Sequence, residues 1–329
     1  MSLLLENFDF VRPTSLEHLN DLVKDYQEKG HEFTFSAGGT ALIPKLKTQS
    51  FKIDKFISLN GLKDLHNVKK EGFYITIGAL TTLSTIANHE LTRIYLPALA
   101  HATRKVASPQ IRNRATIGGN IMVDNRCIYI NQSSINRECH SPCFKADGDV
   151  CHLVKSARRG DEVLCQARFV SDTAPILLLL NTKITIAGPK GPRKIKLGDL
   201  YLNDGIDSKS IEPGEVITTL EVEIPENTGL HYEKLAIRNA LDFPSLGVAV
   251  RITDKDLSVA LTGVNTRPGV FRANLDDYNT FDDMVSNISK QAADFGKTYN
   301  QDFFPRAYRK SMIPVFIRRG VNSILKDQT

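Results

Sequence analysis

The chain has 329 residues, of which 41% are hydrophobic and 24% charged, and its net charge is +5. This is the composition of a globular protein with room for two or three compact units. It argues against a membrane protein, because no stretch approaches the roughly 18 consecutive apolar residues that span a bilayer. The mild, dispersed positive charge does not indicate nucleic-acid binding. The N-terminus lacks the features of a signal peptide, so we expect a cytoplasmic protein.

The first predicted elements form a small β/α unit. A capping-box pattern at residues 14–17 predicts a helix that extends to about Tyr26. Residues 33–36 have the composition of a short strand, and the sequence Ala-Gly-Gly-Thr at 37–40 follows at once. Another strand is predicted over residues 53–59.

A second unit is predicted from about residue 61. Tyr74 to Gly78 alternates as a strand does. Thr81 or Thr82 begins a helix to about Glu90, a further helix covers residues 96–107, and the sequence Thr-Ile-Gly-Gly-Asn follows at 116–120. The regular pattern then stops for roughly fifty residues and resumes near Ser171 with an apolar helix and the strands 183–187 and 215–224.

The last third of the chain is predicted to be an antiparallel meander with helices. Three strand-like runs cover residues 231–238, 245–253 and 257–264, and they are joined by turns. Two helical patterns follow, over residues 281–297 and 308–326. The sequence therefore predicts an α/β part followed by an α+β part.

The two glycine-containing loops, 37–40 and 116–120, are candidate anion sites. Glycine allows a positive φ and lets backbone N–H groups approach an anion closely. Neither loop matches the G-x-G-x-x-G dinucleotide fingerprint or the G-x-x-x-x-G-K-[ST] phosphate loop, so a Rossmann site is not predicted. Each loop alone is most often a simple tight turn, but the pair could hold a pyrophosphate from two sides.

The five cysteines all lie within 39 residues, at Cys127, Cys139, Cys143, Cys151 and Cys165. An odd number in a chain expected to be cytoplasmic argues against a disulfide framework. The successive steps of 12, 4, 8 and 14 residues match neither the bacterial ferredoxin run nor paired zinc knuckles. Spacing alone leaves zinc, an iron–sulfur cluster and buried structural thiols open, and the clustering favours a metal or a cluster.

The two loops resemble, at this spacing, those of the FAD-binding medium subunits of the molybdenum hydroxylases, the family of xanthine dehydrogenase and carbon monoxide dehydrogenase. The further matching segments are Ile77-Gly78-Ala79, the run Ser-Pro-Gln-Ile-Arg-Asn at 108–113, Arg238 with Asp242, and Tyr308-Arg309. The resemblance implies an α/β + α+β chain with a two-part PCMH-type FAD-binding fold and a C-terminal antiparallel three-stranded sheet with helices. It places FAD-binding subdomain 1 at 1–60, subdomain 2 at 61–228 with a cysteine-rich insert at about 123–170, and a C-terminal CO-dehydrogenase-flavoprotein-like domain at 229–329.

The resemblance also implies the FAD-binding residues. One side of the pyrophosphate would be held by Ala37, Gly38, Gly39, Thr40 and Ala41, and the other side by Thr116, Ile117, Gly118, Gly119 and Asn120. An acidic residue of the family that hydrogen-bonds the cofactor corresponds to Asp172, because this residue directly precedes an apolar helix. Asp124 is the rival position, and a plain helix N-cap is the alternative role of Asp172.

The insert resembles that of the 4-hydroxybenzoyl-CoA reductase beta subunit, which carries an additional [4Fe–4S] cluster. Residues 143–151 match the Cys-x-Lys-x-Asp-Gly-x-x-Cys pattern of that branch. The implied cluster ligands are Cys127, Cys143, Cys151 and Cys165, and Cys139 is left over. The last interval is longer here than in that branch.

The implied function is an FAD- and [4Fe–4S]-containing electron-transfer subunit of a molybdenum-dependent reductase that dehydroxylates an aromatic CoA thioester. Its partners would be a molybdenum-cofactor subunit and a [2Fe–2S] subunit in a heterotrimer, which dimerises, with ferredoxin as donor. Two alternatives stay open: an FAD subunit of an oxidative molybdenum hydroxylase using NAD or a quinone, and a zinc-stabilised binding module without enzymatic activity. No catalytic residue is identified in this chain, and the substrate chemistry is assigned to a partner.

Overall fold

The computed structural model describes residues 7–48, 53–158, 164–238, 240–297 and 299–327. Its described strands form sheets of three, five and four strands and one two-stranded hairpin. Five residues of the predicted insert, 159–163, lie outside the described residues.

The first unit is a parallel sheet with two helices. Its elements are β1 (Asp9–Val11), α1 (Leu16–Glu28), β2 (Phe33–Ser36), α2 (Leu42–Lys47) and β3 (Lys55–Ser58), with the strand order β1-β3-β2. The α1 helix begins where predicted, because the Ser15 hydroxyl accepts the backbone N–H of His18 at 3.1 Å. Leu19 and Val23 of this helix are fully buried. The first glycine loop therefore lies at the carboxyl end of β2, directly before α2.

The second unit is an antiparallel five-stranded sheet, in the order β4-β5-β10-β8-β9, covered by short helices. Its strands are β4 (Val68–Glu71), β5 (Tyr74–Gly78), β8 (Lys183–Ala187), β9 (Arg193–Lys196) and β10 (Val216–Glu223). Its helices are α3 (Leu83–Asn88), α4 (Glu90–Tyr95), α5 (Pro97–Arg104), α6 (Pro109–Arg112), α7 (Ile117–Ile121) and α9 (Ala174–Leu179). The insert between α7 and α9 contributes α8 (Ser134–Glu138) and the hairpin β6 (Val150–Cys151) and β7 (Val154–Arg158).

The C-terminal sheet has four strands, one more than the sequence analysis predicts. Its elements are β11 (Gly229–Leu235), β12 (Leu246–Ile252), β13 (Asp256–Thr262), β14 (Gly269–Asn274), α10 (Phe281–Phe295) and α11 (Arg306–Asp327). The added strand β14 pairs antiparallel with β13. The sequence analysis does not predict β14, because this strand follows Pro268 directly and its buried residues do not alternate along it.

The α9 helix joins the second unit to the C-terminal sheet. All six of its residues are buried. All but Pro175 belong to one hydrophobic cluster that includes Ile184 of β8 and Ala249 of β12. An entirely apolar helix of this kind is buried on every side. The chain thus continues from the insert directly into the centre of the molecule. Among the described residues, no helix is both long and apolar enough to cross a bilayer.

Candidate functional site

The first glycine loop presents backbone donors to a groove. Gly39 has φ +72°, a conformation that favours glycine. Within the described residues, the N–H groups of residues 38–41 donate to no protein acceptor. The adjoining groove has a volume of about 540 Å³ and is lined by Ala37, Gly38 and Gly39 together with phenylalanine rings and Arg114. Unpaired N–H groups beside a cationic side chain are suited to an anion.

The N–H groups of the second glycine loop donate to acceptors within the protein. The sequence analysis instead expected them to be available to an anion. The N–H of Ile117 donates to Thr81 at 3.0 Å and that of Gly118 to Ala79 at 2.9 Å. The N–H of Gly119 donates to the Thr116 hydroxyl at 3.1 Å. Neither glycine has a positive φ. Gly118 instead allows close packing, since a Cβ there would lie 2.8 Å from the carbonyl oxygen of Ala79.

The structure brings the two loops together. A Cβ at Gly38 would overlap the carbonyl oxygen of Arg114, so the first loop rests on the backbone two residues before Thr116. Asn120, at the end of the second loop, accepts hydrogen bonds through its Oδ1 from the hydroxyls of Ser171 and Thr173, both at 2.7 Å. The segment around Asp172 therefore lies against the second loop although the insert separates them in sequence.

Asp172 is a buried carboxylate with two partners from β11. Its Oδ1 accepts the hydroxyl of Tyr232 at 2.8 Å, and Lys234 Nζ lies 3.1 Å away. Burial raises the pKa of Asp172 to about 6, although Lys234 and Tyr232 both act to lower it. The sequence analysis identified the acid but neither partner, because both lie about sixty residues further along the chain.

We expect Asp172→Asn to flatten the pH dependence of stability. The folded protein holds the Asp172 proton more tightly than the unfolded chain between pH 3.8 and about 6. The wild-type free energy of unfolding should therefore fall as pH rises through this window, by on the order of 3 kcal/mol from this group. Urea unfolding of the wild type and the variant at several pH values measures how the free energy of unfolding depends on pH. An unchanged slope in the variant would show that other groups cause the dependence.

The two ends of the insert pair with each other. Arg126 and Arg168 form an isolated antiparallel bridge, with N–H···O distances of 2.8 and 2.9 Å. The Asn125 amide donates to the carbonyls of Ala167 at 3.0 Å and Thr266 at 2.6 Å. Cys127 follows Arg126 by one residue, and Cys165 precedes Arg168 by three. The bridge therefore brings the first and last predicted cysteine ligands close together.

The four cysteines predicted as ligands line one small cavity. Cys127, Cys143, Cys151 and Cys165 surround a volume of about 20 Å³, with Lys145 and His152 in the same wall. Cys139 is absent from this lining and is exposed. Its Sγ lies 3.6 Å from the carbonyl oxygen of Ile135. The described residues contain no group of three or more His, Cys, Asp or Glu side chains arranged to hold a metal ion.

Burial keeps two of these thiols protonated at neutral pH. It raises the pKa of Cys127 to about 11 and that of Cys165 to about 12. The Cys127 thiol is also affected by Cys143 and Cys151, and the Cys165 thiol by Cys127. Since thiolates are the metal ligands, binding of a metal or cluster in this cavity would release protons.

We expect alkylation of the metal-free chain to discriminate among the five cysteines. Iodoacetamide at neutral pH should modify Cys139 first, because this thiol is exposed, whereas Cys127 and Cys165 are shielded and protonated. Peptide mass spectrometry after timed quenching gives the order. Modification of Cys165 as fast as Cys139 would contradict the arrangement of the cavity.

The motif from 143 to 151 is a tight turn. The N–H groups of Ala146 and Gly148 both donate to the carbonyl of Cys143, at 2.8 and 2.9 Å. Asp147 has φ +59°, and a Cβ at Gly148 would overlap the carbonyl oxygen of Pro142. Asp tolerates the left-handed conformation and glycine has no Cβ, so these two residues shape the turn that presents Cys143 and Cys151.

The structure adds a half-buried charge network that the sequence analysis did not predict. The Asp124 carboxylate forms ion pairs with Lys45 of α2 and with Lys145 of the insert. Burial acts to raise the pKa of Asp124, but Lys145 and Lys45 outweigh it and hold this pKa below its usual value. The carboxylate that was the rival to Asp172 thus links the helix after the first glycine loop to the cysteine insert.

The chain is similar in sequence to a family of known proteins. A family described as the FAD binding domain in molybdopterin dehydrogenase matches residues 6–227. The glyceraldehyde dehydrogenase medium chain of Sulfolobus acidocaldarius is 25% identical over 96% of this chain and 98% of its own. The aldehyde oxidoreductase FAD-binding subunit of Escherichia coli is 31% identical over 71% of this chain and 75% of its own.

The fold is also that of a solved structure. Carbon monoxide dehydrogenase from Hydrogenophaga pseudoflava aligns with a TM-score of 0.75 at 21% identity, covering 98% of this chain and 99% of that chain. The expected mixed α/β fold with a C-terminal antiparallel sheet is confirmed by this likeness. The relatives named above are subunits of oxidoreductases. The chain belongs to the FAD-binding subunits of the molybdopterin dehydrogenase family.

Proposed function

We propose that this chain is an electron-transfer subunit that holds FAD and a [4Fe–4S] cluster, in a reductase of the 4-hydroxybenzoyl-CoA type. The observation that carries the proposal is the cavity lined by Cys127, Cys143, Cys151 and Cys165, within an insert that both begins and ends beside the second glycine loop. Four cysteine thiolates are the usual ligands of such a cluster. A cluster there would supply one-electron transfer next to a flavin.

The FAD site is proposed at the paired glycine loops. The unpaired N–H groups of residues 38–41 would hold the pyrophosphate, and the groove beside them would accept the adjoining part of the cofactor. The second loop would contribute through Thr116 and Asn120, which position its helix and the segment at Asp172. Asp172 with Lys234 supplies a buried polar pair near this loop.

The proposed reaction is the reductive removal of a phenolic hydroxyl from an aromatic CoA thioester. Two electrons and two protons enter, the carbon–oxygen bond breaks, and water leaves. Reduced ferredoxin would be the source of electrons, and a molybdenum-cofactor subunit with a [2Fe–2S] subunit would complete a dimerised heterotrimer. The resemblance of residues 143–151 to the reductase branch supports the substrate class, because no residue of this chain is assigned to substrate binding.

Metal analysis of the purified chain tests this proposal. Anaerobic purification should give about four iron and four acid-labile sulfide per chain, one releasable FAD, and an electron paramagnetic resonance signal after reduction with dithionite. Zinc in place of iron would refute the cluster and favour a zinc-stabilised insert. A cluster-containing enzyme that converts oxidised ferredoxin to reduced ferredoxin during substrate turnover, and does not consume reduced ferredoxin, would refute the reductive direction.

A second candidate is the FAD subunit of an oxidative dehydrogenase. The names of the relatives favour it, since they are a glyceraldehyde dehydrogenase chain and an aldehyde oxidoreductase subunit. In that case the assembled enzyme would reduce NAD or a quinone with an oxidisable substrate. Steady-state assays of the assembled enzyme with ferredoxin, NAD and a quinone in parallel separate the two candidates.

A further inference from the structure

The Lys145 side chain connects the four-cysteine cavity with the Asp124 carboxylate. Its Nζ donates to Asp124 Oδ1 at 2.6 Å, to the carbonyl of Asn125 at 3.1 Å and to that of Gly205 at 2.5 Å. Only 11% of the side chain is exposed, and the residue lines the cavity. Three acceptors around one ammonium group hold the charge in a defined position.

The same lysine is close to the last cysteine of the cavity. The carbonyl of Gly205, one of its acceptors, belongs to a residue whose N–H donates to the Cys165 carbonyl at 2.9 Å. A Cβ at Gly205 would lie 2.7 Å from Cys165 Sγ. The Lys145 ammonium group is therefore held at the Cys165 side of the cavity by the carbonyl of a residue that packs against the Cys165 sulfur.

Lysine side chains gather around Asp124 beside the cavity. The Asp124 carboxylate is paired with both Lys45 and Lys145. Lys209 lies near the same carboxylate, and burial with repulsion from Lys145 lowers its pKa to about 8 although Asp124 opposes this.

We propose that Lys145 is a positioning residue that raises the reduction potential of the cluster in the cavity and ties its charge to the flavin side through Asp124. The inference rests on the proposed function, because it requires a cluster at these cysteines. Reduction by one electron adds negative charge to a group that is already anionic. A fixed cation in a poorly solvated place stabilises the reduced form more than the oxidised form.

The test is an electron paramagnetic resonance titration of the full chain, with dithionite as reductant and redox mediators. Lys145→Met should shift the equilibrium for one-electron reduction at least about tenfold toward the oxidised form, which corresponds to about 59 mV. Lys145→Arg should keep the potential near that of the wild type. Lys45→Met is the matched control: it removes a charge from the same carboxylate, but Lys45 does not line the cavity.

The outcomes separate the inference from the proposed function. A wild-type chain without iron refutes both. If the wild-type chain has a cluster but its reduction potential is unchanged in Lys145→Met, only the inference is refuted. The same holds if Lys45→Met shifts the potential as much as Lys145→Met does. If Lys145→Met does not assemble a cluster, the Asp124→Asn variant tests the inference instead. It keeps every lysine and removes the carboxylate that offsets the Lys145 charge. Its potential should rise, and an unchanged value overturns the inference.

Discussion

Under the proposed function, replacing Cys143 with serine is expected to leave the purified chain without iron and acid-labile sulfide, while its FAD content stays at the wild-type level. Cys143 lines the cavity and begins the tight turn, and a serine hydroxyl is a much poorer cluster ligand than a thiolate. Cys143 is not among the residues that line the groove at the first glycine loop, so the loss of the cluster should not extend to FAD. Iron, sulfide and FAD assays on one preparation measure the effect.

Cys139→Ser is the matched control for this prediction. Cys139 lies four residues away in the same insert, but it is exposed and does not line the cavity. Its replacement should leave iron, sulfide and FAD unchanged. The proposal of Cys127, Cys143, Cys151 and Cys165 as the ligand set would be wrong if Cys139→Ser lost the cluster and Cys143→Ser kept it. With Cys143→Ser, ferredoxin-driven turnover of the assembled enzyme should also be abolished.

Replacing Gly38 with alanine is expected to destabilise the chain and empty the FAD site. The new Cβ would overlap the carbonyl oxygen of Arg114, which is backbone and cannot rotate away. Overpacking of this kind costs about 1–3 kcal/mol of folding free energy. Relief of the overlap would move the first glycine loop away from the second. We therefore expect FAD content to fall more than tenfold, measured by absorbance after gel filtration.

Gly198→Ala controls for the loss of a glycine as such. A Cβ at Gly198 would be 3.7 Å from Leu178 Cδ2, an ordinary contact, and its φ is not positive. This variant should keep its FAD and its midpoint in urea. Retention of FAD by Gly38→Ala at the wild-type level would show that the contact with Arg114 does not position the first loop.

Local sequence signals predict much of the fold because the forces that form those elements are local. The strands at 33–36, 74–78 and 183–187 occur at the predicted residues. The capping-box pattern at 14–17 indicates the start of α1 to within one residue, because the observed cap is Ser15, which accepts the N–H of His18. The glycines at 38 and 118 are also visible in the sequence, although the reason that each must be glycine is not.

The remaining features depend on contacts between distant residues. The pairing of Lys145 with Asp124 and Gly205 joins residues 21 and 60 positions apart, and no periodic pattern encodes it. The same is true of Asp172 with Tyr232 and Lys234. The second glycine loop shows a different limit, because its N–H groups find partners in the β5–α3 connection. Sequence shows which donors exist but not which acceptors are already near them.

The roles of Ala37 to Ala41, Thr116 to Asn120 and Asp172 in binding FAD remain predictions, as do the domain boundaries. The structure supplies the arrangement on which those predictions can be tested, since Gly38 of the first loop packs against the backbone of Arg114, just before the second loop. The assignment of the four cysteines as ligands is likewise a prediction. The four cysteines share one cavity, and metal analysis of the purified chain would show which metal or cluster they bind.

The bridge between Arg126 and Arg168 bears on how such a chain could arise. Because two hydrogen bonds close the base of the insert, the flanking segments meet whether the connection between them is long or short. The entropic cost of a longer loop grows only with the logarithm of its length. An ancestral flavoprotein could therefore acquire or discard this segment as one genetic unit, without redesign of the host scaffold.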